Sequence, residues 1–256
     1  QNANDPGRFA ALWGFEWSSP VYGHITVLNS NDFTDAISED SSNDLFHWLV
    51  ARPQAFGHFN HPGDYDAFGL EFQHLKLFPQ VVSQMVGIEN WNGNNSFDQY
   101  YYSGGWSAGD VSYWDEGNRK GWHLGALGSQ DNHERDWGTM NRFRTAVLAQ
   151  QLTRADIIEA YRQRRFYATE DENLILDFRC QGYPMGARLS GGPRTFRATA
   201  RDLDGNNFQQ VRLYRNGVLI ETHWVNGTSL EIGFDDRQNH CNPGYYYVIV
   251  GQNDDN

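Results

Sequence analysis

The chain contains few cysteines and few lysines. Cys180 and Cys241 are the only two cysteines among 256 residues, and neither belongs to a C-x-x-C pattern, which excludes a thiolate zinc site and a dithiol redox motif. The pair allows one disulfide.

Lys76 and Lys120 are the only lysines, and 32 acidic against 20 basic residues give a formal charge of −12. Because a negative surface repels a phosphate backbone, no extended binding to nucleic acid is expected, although a local arginine cluster could hold one phosphate.

Long apolar runs are also lacking. A helix that spans a membrane needs about 18 or more consecutive apolar residues, and no run in this sequence approaches that length. The first residues show no charged segment followed by an apolar core, as a signal peptide would. No membrane span is therefore predicted. The low lysine content, the loops rich in Asn, Gly and Trp, and the cysteine pair favour an exported protein, extracellular or periplasmic.

The most distinctive motif lies in residues 124–133. A short apolar run is broken by glycine and serine, and then Asp131 and His133 follow two positions apart. In an extended segment such residues point to the same side, so a carboxylate oxygen and an imidazole nitrogen would converge just beyond the end of a strand. This donor pair suits zinc, manganese or iron better than calcium. The alternative is that Asp131 caps a turn and His133 is an ordinary loop histidine.

Other candidate ligands also follow apolar segments. Glu16 comes after FAALWGF, Glu89 comes after VVSQMVGI, and His61 precedes Pro62 at the end of a short predicted strand. The proline is expected to hold the backbone of His61 in the extended region. Strands that end in such residues, with helices between some of them, are what a β/α barrel would produce, because its chemistry lies on the C-terminal rim. A doubly wound sheet fits the periodicity almost as well.

Helical spacing is found in two places. Residues 43–50 begin with an Asn or Asp cap, and residues 152–165 begin with Thr153 as N-cap and Asp156 three positions later, which predicts a helix in each segment. Between them, residues 92–115 are aromatic and rich in Gly and Ser, which predicts a long surface excursion that serves as a lid or a binding loop.

The pattern changes at about Asn173. Alternating apolar runs follow at regular intervals and are separated by turns such as Asn216-Gly217 and Asn226-Gly227. This pattern is typical of a small β-sandwich of immunoglobulin type. The predicted organisation is therefore an α/β domain over residues 1–172 and an all-β domain over residues 173–256.

Seven segments together resemble a known family. They are GFEWSSPVYGHITVL, FNHPG, GIENWNG, GALGSQDNHERDWG, RTAVLA, LTRADIIEAYRQRRFYAT and LDFRCQGYPMG. In this order and spacing, the chain from about residue 9 to residue 186 resembles the C-terminal two-thirds of a PHP-type (polymerase and histidinol phosphatase) metal-dependent phosphoesterase of the CehA/McbA-like branch. The β-sandwich resembles the accessory domain of secreted members. The resemblance implies a distorted seven-stranded β/α barrel whose rim holds two or three divalent transition metal ions, namely zinc, manganese or iron.

The resemblance also implies a set of site residues. By motif, the metal ligands are Glu16, His61, Asp131 and His133. His24 matches a loosely kept position and is not included among the ligands.

Two arginines follow the D-x-H pair. Arg135 and Arg142 are predicted to donate to the phosphoryl oxygens of the substrate, because a guanidinium fork matches the geometry of phosphate. The alternative is that both form ordinary surface salt bridges.

The family pattern begins with an H-x-H motif and a further Asp and His, and nothing before Glu16 matches them. We expect the barrel to be incomplete at its N-terminus because the chain is a piece of a longer polypeptide. The function implied is hydrolysis of small phosphomonoesters or phosphodiesters by a di- or trinuclear metal centre and a metal-activated water. The alternative is a non-catalytic extracellular structural protein, built on a degenerate barrel and the sandwich, that self-assembles.

Overall fold

The computed structural model describes residues 3–64, 68–93, 95–96, 112–238 and 243–253. The chain forms two compact units, Gln1–Glu170 and Asp171–Asn256. The sequence predicts two domains, residues 1–172 and 173–256. That division stays a prediction, because a compact unit counts as a domain only if it can also fold on its own.

The first unit is built on a mixed six-stranded sheet. Its strands are β1 (Gly14–Ser19), β2 (Gly23–Leu28), β3 (Phe56–Phe59), β4 (Met85–Asn92), β5 (Asn95–Ser96) and β6 (Gly125–Ser129). Strands β1, β2 and β3 pair antiparallel in sequence order, whereas β4 pairs parallel with β3 and β6 and antiparallel with β5. A separate antiparallel pair consists of β7 (Arg144–Val147) and β8 (Phe166–Thr169).

Three α-helices are present in the described residues, and each begins with the same kind of cap. They are α1 (Ser42–Val50), α2 (Tyr113–Arg119) and α3 (Arg154–Arg162), and short 3-10 helices occupy Glu71–Gln73 and Pro79–Val81. In each α-helix a Ser or Thr hydroxyl accepts a backbone N–H from an aspartate three positions later, which is the favoured N-cap arrangement. None of the helices described is long and apolar enough to cross a membrane.

Two of these helices confirm sequence predictions. Helix α1 matches the segment 43–50, although its cap residue is Ser41 and not the predicted Asn or Asp, and α3 begins after Thr153 as its cap residue, as predicted. Helix α2 was not predicted, since its residues 113–115 fall inside the expected surface excursion of residues 92–115. Most of that excursion, residues 97–111, lies outside the described residues.

The predicted α/β barrel is wrong. Strands make up 38% of the structure and helices 14%, and the described residues form several sheets without a closed barrel. A β/α barrel needs a helical crossover between parallel strands, but β1 and β2 are joined by a short turn and pair antiparallel, with Glu16 opposite Thr26. Glu16 therefore lies within a hairpin and not at the C-terminal end of a barrel strand.

Both faces of the six-stranded sheet carry apolar cores. On one face, Ile25, Val27 and Phe59 pack with residues of α1 such as Leu45, and all four are fully buried. On the other face lies a smaller cluster to which several elements contribute. Its buried members are Phe56, Val86, Leu127 and Phe166, and the partly buried Leu28, Val147, Ile158 and Tyr161 pack against them. Each fully buried side chain of this size stabilises the fold by about 1.5–3 kcal/mol. Because apolar residues are packed on both faces, the sheet holds the polar residues that it carries in fixed positions.

The second unit consists of two antiparallel sheets. Its strands are β9 (Leu174–Cys180), β10 (Tyr183–Pro184), β11 (Arg194–Asp202), β12 (Phe208–Arg215), β13 (Val218–Trp224), β14 (Ser229–Asp236) and β15 (Tyr246–Gln252). The sheets have the orders β10-β9-β11-β14 and β13-β12-β15. Both contribute to one core, formed by Phe178, Phe196, Ala198, Val211, Leu213 and Phe234. The immunoglobulin type stays a prediction. The one disulfide that the two cysteines allow would involve Cys241, which lies outside the described residues.

Asp202 organises the turn that follows β11. One carboxylate oxygen accepts the backbone N–H groups of Asp204, Gly205 and Asn206 at 3.0, 2.6 and 2.9 Å, and the other accepts Nε2 of Gln252 at 2.7 Å. Burial alone would raise the pKa of Asp202, but hydrogen bonds with the backbone N–H groups of Asn206 and Gly205 and with the carboxyl groups of Asp204 and Asp171 outweigh it and lower the pKa to about 2. The charged carboxylate is therefore stabilised by the folded turn.

Replacing Asp202 is expected to change how stability depends on pH. The pKa is near 4 in the unfolded chain, so the folded state gains stability above that pH and loses it as the pH falls from about 4 to about 2. Asp202→Asn should lower the free energy of unfolding at pH 7 by at most about 2 kcal/mol and flatten its pH dependence in that window. Part of the loss is offset at Asp204, whose pKa the Asp202 carboxylate raises. Urea unfolding followed by circular dichroism measures both effects. Asp235→Asn, in an exposed pair with Arg237, is the control, and equal losses in the two variants would contradict the prediction.

Candidate metal centre

Polar side chains form a row across one face of the first sheet. Glu16 on β1 lies opposite Thr26 on β2, which lies opposite His58 on β3. Because residues two positions apart in a strand share a face, His24 points to the same side as Thr26. Asn60 follows two positions after His58 and continues the pairing, since its backbone N–H donates to the carbonyl oxygen of His24 at 3.0 Å.

Glu16, His24 and His61 bring three ligand atoms together. One carboxylate oxygen and two imidazole nitrogens all lie within 4.8 Å of one another. Oε1 of Glu16 is 3.2 Å from Nδ1 of His24 and 3.6 Å from Nε2 of His61. The side chain of His61 is only 3% exposed, whereas that of Glu16 is 32% exposed, so solvent reaches the group from the Glu16 side.

Asn60 fixes the Glu16 carboxylate. Its buried amide Nδ2 donates to Oε1 of Glu16 at 2.8 Å and to Oγ1 of Thr26 at 2.9 Å, while its Oδ1 accepts the backbone N–H of Thr26 at 3.2 Å. Both ends of the amide are therefore used, which leaves Asn60 one orientation. The position of the carboxylate oxygen is set by the sheet and not by solvent.

The charges of the group are matched. Burial would raise the pKa of Glu16, but hydrogen bonds from His24, His61 and Asn60 outweigh it and hold the pKa well below its usual range. For His61, burial would lower the pKa, but the hydrogen bond to Glu16 and the negative charges of Glu89 and Asp131 raise it. The ionised carboxylate thus stabilises positive charge at His61, which a proton or a metal cation can supply.

Glu89 lies on the inner side of this group. One of its carboxylate oxygens, Oε2, accepts the backbone N–H of His61 at 2.8 Å and Nδ2 of Asn92 at 2.7 Å. The residue is 3% exposed, and burial raises the pKa of Glu89 to about 7 despite these hydrogen bonds. The carboxylate is therefore desolvated and close to the group without being part of the three-atom cluster.

Two of the candidate ligands have an unusual backbone. His61 has φ of 24° and Asp131 has φ of 47°. The expectation that Pro62 holds His61 in the extended region is therefore wrong. A non-glycine residue in the left-handed region costs about 1–3 kcal/mol, and such strain is concentrated at functional sites, where neighbouring contacts maintain it.

The structure brings together two of the four predicted ligands, Glu16 and His61. Asp131 follows β6 and lies near enough for its charge to act on His61, but it is not one of the residues whose ligand atoms converge. The side chain of His133 is 80% exposed, and its Nδ1 lies 2.8 Å from the backbone oxygen of Asp131. The ligand roles of Asp131 and His133 stay predictions.

Arg135 and Arg142 are both exposed on the segment between β6 and β7. Their predicted catalytic role as phosphate donors stays a prediction.

His24 was left out of the predicted ligand set, although a local signal points to it. Ser19 accepts the backbone N–H groups of Val21 and Tyr22 through its hydroxyl, and Gly23 has φ of 79°. The sequence SPVYG therefore contains the serine, proline and glycine that favour a tight turn. If the segment is interpreted as a hairpin, His24 becomes a diagonal neighbour of Glu16 on the same face.

Comparisons with known proteins identify no family for this chain. No family model matches it. An uncharacterized protein of Chlamydia pneumoniae is 29% identical over 97 residues, which cover 36% of this chain and 16% of that protein. An uncharacterized protein of Chlamydia trachomatis is 27% identical over 124 residues, which cover 42% of this chain and 20% of that protein. The chain thus matches a fifth or less of the length of these relatives.

Among solved structures, the chain is similar to a two-domain protein from Bacteroides vulgatus that contains a predicted PHP-like metal-dependent phosphoesterase. The sequence identity is 16% and the TM-score is 0.46, and the similarity covers 94% of this chain and 75% of that one.

Proposed function

We propose that this chain binds a divalent transition metal ion through Glu16, His24 and His61 and takes part in the hydrolysis of small phosphate esters. The observation that carries the proposal is the convergence of the three ligand atoms within 4.8 Å. One carboxylate and two imidazoles are a donor set typical of catalytic zinc sites, and manganese or iron also accept it. The reaction class comes from the resemblance of the sequence motifs to phosphoesterases.

The geometry of the three residues fits a metal ion. Zinc bonds to N and O of about 2.0–2.1 Å in a tetrahedral arrangement place two ligand atoms about 3.3 Å apart. The observed separations from Oε1 of Glu16 are 3.2 Å to His24 and 3.6 Å to His61. Only small side-chain movements would therefore be needed, and the depressed pKa of Glu16 ensures a charged ligand at neutral pH.

The remaining residues would support binding and catalysis. A bound divalent ion polarises a phosphoryl oxygen and lowers the pKa of a water ligand. Asn60 orients the Glu16 carboxylate through its hydrogen bond of 2.8 Å. His61 must release its proton when a metal binds, because the same nitrogen cannot hold both. The buried face of His61 excludes water behind the site, so that substrate would approach from the exposed side of Glu16.

Asp131 and His133 extend the proposal to a second ion. Because Nδ1 of His133 donates to the backbone oxygen of Asp131 at 2.8 Å, its other ring nitrogen, Nε2, would be the one to join the Asp131 carboxylate as a second carboxylate–imidazole ligand pair. In the same proposal Arg135 and Arg142, exposed on the following segment, donate to the phosphoryl oxygens of the substrate. An extracellular or periplasmic location is likewise a proposal, as is self-assembly.

Metal removal tests this function. The purified chain should contain at least one equivalent of zinc, manganese or iron by mass spectrometry of the elements, and dialysis against a chelator should remove it. Hydrolysis of p-nitrophenyl phosphate or bis-p-nitrophenyl phosphate should disappear with the metal and return when zinc or manganese is added. Circular dichroism verifies that the metal-free chain stays folded. A folded chain that binds no metal and cleaves neither ester would contradict the proposal and favour the structural-protein alternative.

A further inference from the structure

Glu89 is a buried carboxylate that has no role in the proposed metal binding or hydrolysis. It lies within β4, next to β3, and is 3% exposed. A carboxylate taken out of water is costly unless hydrogen bonds replace its hydration, so a buried one needs a structural or functional reason. The pairing of β4 with β6 also shifts register directly after Glu89, and such irregularities redirect side chains near functional sites.

The contacts of Glu89 lead to a metal ligand. Its Oε2 accepts the backbone N–H of His61 at 2.8 Å, and Nδ2 of Asn92 donates to the same oxygen at 2.7 Å. Asn92 is itself buried at the end of β4. The Asn92 amide thus orients the Glu89 carboxylate within β4. The carboxylate in turn holds the backbone of His61, which lies just after the neighbouring strand β3.

The backbone of His61 needs such a contact. Its φ of 24° lies in the left-handed region, and a residue in this region persists only when its surroundings hold it there. The Glu89 oxygen that accepts the His61 N–H at 2.8 Å supplies such a contact. Since the direction of the imidazole follows from the backbone, a contact that fixes the His61 amide also fixes where Nε2 points.

We propose that Glu89 is a positioning residue for His61. Its carboxylate, oriented by Asn92, holds the His61 amide so that the imidazole faces Glu16 at 3.6 Å. Glu89 acts through a hydrogen bond and is not itself a metal ligand. This inference rests on the proposed metal site, but the contact with the His61 amide can be measured without metal.

Two substitutions separate the two possible roles of the carboxylate. Glu89→Gln keeps an acceptor oxygen for the His61 amide and loses the charge, whereas Glu89→Ala removes the acceptor. If Glu89 positions His61, zinc affinity should fall by about 10- to 100-fold in Glu89→Ala, as is usual for partners that orient metal ligands, and by about threefold or less in Glu89→Gln. Competition with a chromophoric chelator measures the affinities. Glu116→Ala is the matched control, because Glu116 is also buried and pairs with Lys120 on α2, and its zinc affinity should equal that of the unsubstituted chain.

A second readout uses the metal-free chain. The backbone amide proton of His61 should resonate at low field in the NMR spectrum, because it donates to a carboxylate, and it should move upfield in Glu89→Ala but little in Glu89→Gln. Equal zinc affinities in Glu89→Ala and the unsubstituted chain, or an unmoved amide signal, would overturn the inference. Equal losses in the Gln and Ala variants would also overturn it, since they would show that zinc binding depends on the charge of Glu89 and not on the oxygen that accepts the His61 amide. A chain that binds no zinc but shows the amide shift would refute the proposed function and leave the positioning contact standing.

Discussion

Glu16→Gln is expected to lower the zinc or manganese affinity of the chain by at least about 100-fold and to abolish phosphate ester hydrolysis. The substitution keeps the size of the side chain but removes the negative charge that faces His24 and His61 at 3.2 and 3.6 Å. Loss of a partner that only orients a ligand typically costs 10- to 100-fold, so the loss of the charged ligand itself should reach at least the upper limit. The carboxamide also presents an N–H₂ group to Asn60 or to the imidazoles, which disturbs the existing hydrogen bonds.

The same variant has a consequence in the metal-free chain. Because the hydrogen bond to Glu16 raises the pKa of His61, Glu16→Gln should lower that pKa, which a titration of the imidazole signals by NMR records. Glu231→Gln is the control, since Glu231 is 64% exposed in a surface pair with Arg197 on the second unit, and neither affinity nor the His61 titration should change. Zinc affinity within about threefold of the unsubstituted chain would exclude Glu16 as a ligand.

Local patterns in the sequence were sufficient to predict α1 and α3, but not α2. The hydroxyl of Thr153 accepts the backbone N–H of Asp156 at 3.1 Å, and α3 begins at the next residue after this cap. Capping depends on residues three positions apart, so it can be predicted without knowledge of the tertiary structure. The alternating runs of the second unit became strands for a similar reason, since their period of two and the Asn-Gly turns are local signals.

The barrel was predicted incorrectly because strand pairing is not local. The apolar run of residues 9–15 was interpreted as a buried strand, but β1 begins only at Gly14, and Phe9 and Trp13 are 57% and 49% exposed. Whether a neighbouring strand runs parallel or antiparallel depends on its connection. The turn after Ser19 produces a hairpin, and β2 also pairs antiparallel with β3 although α1 lies between them, so the first three strands lack the parallel arrangement that a barrel requires.

The site was only partly predictable for the same reason. Glu16 and His61 stood out through their motifs, but the residues that hold them act over long distances in the chain. Asn60 reaches Glu16 across 44 positions and Glu89 reaches His61 across 28. An Asn or a Glu in a strand is usually solvated or part of a turn, so neither residue type signals such a role until the sheet places the partners side by side.

Two ligand sets have been described, one predicted from the sequence motifs and one formed by the residues that converge in the structure. Comparing His24→Ala with His133→Ala distinguishes them. His24 has a side chain only 16% exposed, with Nδ1 at 3.2 Å from Glu16, whereas the side chain of His133 is 80% exposed. We expect His24→Ala to lose the tightest-bound equivalent of metal, with a fall in affinity of about 100-fold or more, because it removes one of three converging ligands. His133→Ala should keep that equivalent and lose only a second, weaker one.

Equilibrium dialysis against zinc, followed by elemental analysis, measures the number of ions bound and their affinities in each variant. His47→Ala is the control, since His47 is exposed on α1 and its ring lies against Phe78, 5.1 Å between centroids. If His133→Ala lost the tight equivalent and His24→Ala kept it, the ligands carried over by motif would be correct and the three-residue group on the sheet would not be the primary site. The opposite result would mean that the antiparallel hairpin, by bringing His24 beside Glu16, supplies a ligand that the predicted set did not include.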